Sequence, residues 1–134
     1  MKYFLLLAFI FIQGGNKIII KDAWMRPAPE TFNSALYFTV INNGDKADTL
    51  YKAESEVSDD IQIHETYKKG DMAGMRSVEN LVIAPHDSVV FQPGGYHIML
   101  MKLKENAVIN NKKTVSLFFK SAGQIKIQAK VRHH

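Results

Sequence analysis

Apolar residues recur at every second position through most of this chain, the spacing at which side chains share one face of a β-strand. KIIIKDAWMR (17–26) predicts a first strand, ended by Pro27 and Pro29, whose fixed φ and missing donors suit a loop or sheet edge. Trp24 within it is expected to plug the core. SALYFTVIN (34–42), rich in β-branched and aromatic residues, predicts a second strand; NNGDKAD turns the chain, and DTLYKAES (48–55) returns as a third. In VSDDIQIHETY (57–67), Ile61 and Ile63 fall on one side and Gln62 and His64 on the other. His64 is therefore expected near the end of a fourth strand, off its apolar face. KKGDMAGMR (68–76), with Gly70 and Gly74, reads as a glycine-rich loop. NLVIA and SVVFQ lie either side of a break at Pro85, His86 and Asp87, and HIMLMKL, TVSLFFK and QIKIQAKVR complete about nine strands. That count and spacing predict an all-β fold, a Greek-key β-sandwich. No stretch carries the period of an amphipathic helix of ordinary length, and there is no internal repeat.

The exception to this pattern is the start. MKYFLLLAFIFIQGG has one early lysine, an apolar run from Tyr3 to Ile12, and small residues at Gly14 and Gly15. Ten apolar residues are too few to span a bilayer, so residues 1–15 are expected to be a cleaved secretory signal and residues 16–132 the mature domain. The expected location is periplasmic or otherwise exported. With no cysteine near the end of the leader, a lipid anchor is not expected.

Composition narrows the chemistry. The chain has 134 residues, 46% hydrophobic and 22% charged, long enough for one packed core that needs no metal to hold it together. Any bound metal is then cargo. A net charge of +4, without an Arg-rich stripe or a stacking motif, does not favour nucleic-acid binding. Zero cysteines exclude a disulfide framework, a thiolate metal site and a blue-copper centre. No nucleophile with its base, no paired carboxylates and no phosphate loop point to an enzyme.

What remains is a set of imidazoles and thioethers. His64 is followed after ten residues by Met75, then after twenty-one by His97, and after one more by Met99. Thioether sulfur is soft, polarizable and always neutral, so methionines beside imidazoles select Cu(I) over Zn, Ca or Mg. His97 and Met99, two apart in an alternating strand, share a face, and the turn at Pro93, Gly94 and Gly95 puts His97 at the mouth of that strand. The glycines flanking Met75 let it fold back over the histidines. Met101 shares that face one pleat deeper and is expected in the core; Met72 is a spare thioether. His86 is expected to be an ordinary surface histidine, and His133 and His134 are assigned no role.

With this spacing the chain resembles the periplasmic copper chaperones of the PCu(A)C family, whose motif is His, ten residues, Met, twenty-one residues, His-x-Met. His64, Met75, His97 and Met99 match it completely, amid the further strings AWMRPAP, SALYFTVINNGDKADTL, GDMAGMR and PGGYHIMLMKLK. The resemblance implies a cupredoxin-like sandwich that binds Cu(I) and delivers it towards the binuclear copper centre of cytochrome c oxidase. The acceptor implied is subunit II of that oxidase or a Sco-type chaperone. The competing reading from the residues is a metal-free β-sandwich adhesion or ligand-binding module in which the His and Met residues are incidental.

Overall fold

The strong alternation yields ten strands in the computed structural model, which describes residues 17–134; the expected leader over residues 1–15 lies outside them. In chain order the strands are β1 Ile18–Met25, β2 Ser34–Asn42, β3 Asp48–Glu54, β4 Asp60–Lys69, β5 Met72–Ser77, β6 Leu81–Ile83, β7 Ser88–Val90, β8 Tyr96–Met101, β9 Lys112–Phe119 and β10 Gly123–Val131. Hydrogen bonding runs in the order β5-β4-β8-β2-β1-β10-β9-β3-β6, with β7 added to β2. Non-sequential neighbours such as β4 and β8, and the parallel pairing of β1 with β10, make this the expected cupredoxin-like Greek-key sandwich. No helix occurs among the described residues.

The core gathers one face of nearly every strand. Phe38, Phe119, Met25, Leu36, Ile98 and Leu100 are at most 1% exposed, and each such side chain stabilises the fold by about 1.5–3 kcal/mol. Away from the histidines, buried polar side chains are bonded. Asp48 accepts backbone N–H bonds from Thr49, Ser121 and Ala122, closing the β9–β10 turn onto β3. Asn42 donates to the Lys46 and Ile83 carbonyls and accepts from Gly44.

Four local expectations need correction. The stretch 68–76 is not a loop: Lys69 pairs with Met72 across a two-residue Gly70-Asp71 turn, and β5 runs back along β4. Gly70 has φ 64°, the conformation that a glycine at the first position of such a hairpin turn supplies without a Cβ clash. His64 consequently lies in the middle of β4 rather than near its end. Trp24 is buried, but outside the main core. Asp22 and Ala23 form a bulge between the Lys21↔Thr39 and Trp24↔Tyr37 pairs, and one inserted residue moves every later side chain to the other face. Met25 thereby enters the core, while Trp24 packs with Ala35 and Tyr37 on the outer face. Met101 is half-buried on that outer face, opposite Asp60, because it keeps the alternation of His97 and Met99.

Candidate metal centre

The three strands β5, β4 and β8 lie side by side, and directly paired residues of antiparallel strands project to the same face. His64 pairs with His97, Gln62 with Met99, and Thr66 with Met75. All four residues of the motif therefore share one face, opposite to the Ile63 and Ile98 face that packs in the core. The imidazole rings of His64 and His97 stand edge to face with centroids 5.7 Å apart. Met99 adjoins them two residues along β8. Met75 stands apart: it is diagonal to His64 on β5, at a spacing of about 7–8 Å that a long side chain can bridge, and is 58% exposed. Met72, at the hairpin tip, is more exposed still.

The turn before β8 places His97. Gln92-Pro93-Gly94-Gly95 closes with a 2.9 Å bond from the Gly95 N–H to the Gln92 carbonyl, and Gly94 has φ 86°, the geometry of a type II turn. The Gly95 carbonyl then accepts from the Thr66 N–H at 3.0 Å and from Nδ1 of His97 at 3.3 Å. His97 is only 3% exposed, and burial, the largest cause, pushes its pKa below the ordinary histidine value. The nearby charges of His64 and Arg26 push the same way, against the Gly95 carbonyl. Burial thus favours the neutral ring of His97.

Around the histidines lies an aromatic and cationic wall that sequence reasoning did not assign to the site. Tyr37 is 6.4 Å from His97 between ring centroids and 4.7 Å from Trp24. Arg26 donates from Nε to the Tyr37 hydroxyl at 3.0 Å, and the Arg132 guanidinium lies 4.3 Å from the Trp24 ring. His134, given no role above, stacks on the other neighbour of that wall, the Trp24 ring, at 5.5 Å. On the other side, Nε2 of His64 is 2.8 Å from Oε1 of Gln62. Gln62 was visible on the His64 face from alternation alone, but its contact with the ring was not.

Two atoms break the rule that buried polar groups are paired. Among the described residues, Nδ1 of His64 and Nε2 of His97 are the buried side-chain nitrogens without a hydrogen-bond partner. Leaving such a group unpaired costs about 1–3 kcal/mol, and the two belong to neighbouring rings on one face. A neutral imidazole nitrogen with no proton donor opposite it is a free lone pair, and two of them beside a thioether fit a soft cation. His86, by contrast, is bonded to Asp45 on the surface, as expected.

Comparison with known proteins follows the same lines. Residues 18–131 match the family model described as putative lipoprotein LpqE-like. An uncharacterized protein of Rickettsia prowazekii is 31% identical over 113 residues, covering 81% of this chain and 62% of the relative. A putative lipoprotein of Leifsonia xyli subsp. xyli is 29% identical over 108 residues, covering 80% of this chain and 64% of its own. The chain thus spans less than two thirds of the length of these curated relatives. Among solved structures, the copper-bound PCuAC domain from PmoF2 is similar with a TM-score of 0.74 at 26% identity, covering 89% of this chain and 95% of that one. The Cu(I) form of DR1885 from Deinococcus radiodurans shares the fold with a TM-score of 0.67 at 24% identity, over 89% of this chain and 82% of that one.

Proposed function

This chain belongs to the LpqE-like family and has the PCuAC-type fold, and from that premise we propose that it is an exported copper carrier that holds Cu(I) through His64, His97, Met99 and Met75. The observation that carries this reading is the pair of buried, unpartnered nitrogens on adjacent imidazoles beside the Met99 thioether. All four donors are neutral, so the ion keeps its charge, and binding requires no deprotonation beyond neutral imidazole. Soft, uncharged donors favour Cu(I) and exchange readily. Three donors are buried or half-buried, while Met75 lies exposed on the edge strand β5. An acceptor's own ligands can therefore enter on the Met75 side as that sulfur leaves, and copper passes without becoming free.

The protein moves an ion and performs no chemistry of its own. Its destination, on this reading, is the binuclear copper centre of cytochrome c oxidase, reached through subunit II or a Sco-type chaperone. Residues 1–15 act as the export signal, and residues 16–132 carry the copper domain in the periplasm. X-ray absorption on the Cu(I) form should show both sulfur and nitrogen donors at one metal per chain. A shell of nitrogen and oxygen alone would overturn the ligand assignment, and failure to retain Cu(I) would favour the metal-free module.

A further inference from the structure

We propose that Gln62, braced by Asp60, is a positioning residue that locks His64 into the tautomer whose bare Nδ1 faces the metal. The inference deepens the copper-carrier reading and rests on it for the identity of the ion, but the hydrogen-bond chain itself belongs to the metal-free protein. Asp60 and Gln62 precede His64 on the same face of β4. Nε2 of Gln62 is 3.1 Å from Oδ1 of Asp60, and Oε1 of Gln62 is 2.8 Å from Nε2 of His64.

The chain of contacts has one consistent assignment. A carboxylate only accepts, so the amide end that meets Asp60 must be the NH₂ group, and the end that meets His64 must be the carbonyl oxygen. That oxygen also only accepts. Nε2 of His64 must then carry the ring proton, which leaves Nδ1 as a lone pair, and Nδ1 is the buried nitrogen without a partner. At His97 the logic is the same with the nitrogens exchanged. The Gly95 carbonyl accepts a hydrogen bond from Nδ1–H, and the bare, unpartnered atom is Nε2. The two rings thus offer opposite nitrogens, one oriented by a side-chain amide and the other by the backbone. Outer groups of this kind fix ring orientation and donor strength at metal sites.

Long-range ¹H–¹⁵N spectra of the metal-free protein at about pH 8, where imidazoles are neutral, read the tautomers directly. His64 should be protonated at Nε2 and His97 at Nδ1. In Gln62→Leu, His64 should become a mixture of tautomers, and Cu(I) affinity by chelator competition should fall about 10–100-fold. Asp60→Ala, which frees the amide to turn over, should show a smaller loss in the same direction and serves if Gln62→Leu does not fold. Asp60→Asn combined with Gln62→Glu keeps a donor facing an acceptor and should restore both the tautomer and the affinity. A wild-type His64 protonated at Nδ1, or a Gln62→Leu variant with tautomer and affinity unchanged, would overturn the proposal. The stated tautomers in a wild type that takes up no Cu(I) would support the positioning role and overturn the carrier reading.

Discussion

Met99 and Met101 alternate along one strand and are both half-buried, yet they face different partners: Met99 lies opposite Gln62 and Met101 opposite Asp60. One pleat separates Met99 from His97, and two separate Met101. Met99→Leu nearly conserves volume, so stability should change by less than about 1.5 kcal/mol while Cu(I) retention drops in a chelator competition. Met101→Leu should retain copper almost as the wild type does. Equal losses would move the sulfur donor elsewhere. His97 makes a prediction about acid. Burial holds its folded pKa below the unfolded value of about 6.5, so between the two the unfolded chain binds a proton that the folded chain declines. This contribution to stability is lost as pH falls through that window. In urea titrations, the difference between wild type and His97→Asn should therefore shift against the wild type as pH falls below about 6.5. Cu(I) affinity should decline as pH falls through the same window, where protons compete for His97, and a flat profile would exclude it as a ligand.

The hairpin of β4 and β5 brings Met75 to the face of the histidines, and its turn depends on Gly70 at φ 64°. Gly70→Ala places a Cβ in the left-handed region, a strain of about 1–2 kcal/mol. Because β5 is exposed along nearly its whole length, that strain should appear locally. Amides of Met72–Ser77 should exchange faster, while those of β2 and β8 keep their protection. Uniform loss of protection would mean that the hairpin is part of the cooperative core. The same exposure explains why β5 escaped the sequence reading. MAGMRS buries no face and so has no apolar alternation, and the available signal was the Gly-Asp pair between Lys69 and Met72. β4 and β8 were legible because Ile61, Ile63, Ile98 and Leu100 each mark an inward face. Trp24 was misplaced for a different reason. The bulge at Asp22 and Ala23 shifts phase by one residue and leaves no mark in the hydrophobic pattern, though Asp22 adopts φ 60° to make it.

At the scale of the whole molecule, the core is complete without an ion, since the site's face lies outside the main apolar cluster. Stripping copper should leave the far-ultraviolet circular dichroism unchanged. Loading it should raise the melting temperature, because a ligand present at a thousand times its Kd stabilises the folded state by about 4 kcal/mol. Loss of structure on chelation would instead make copper a structural element. The parallel pairing of β1 with β10, through Trp24↔Lys130 and Met25↔Val131, has a consequence for biogenesis. β1 lies between β2 and β10, so the sheet cannot close around it until β10 has been synthesised. Contacts this distant in sequence form slowly. A chain cut before Gly123 should remain unfolded and sensitive to protease, whereas a chain that includes β10 should close in one cooperative step.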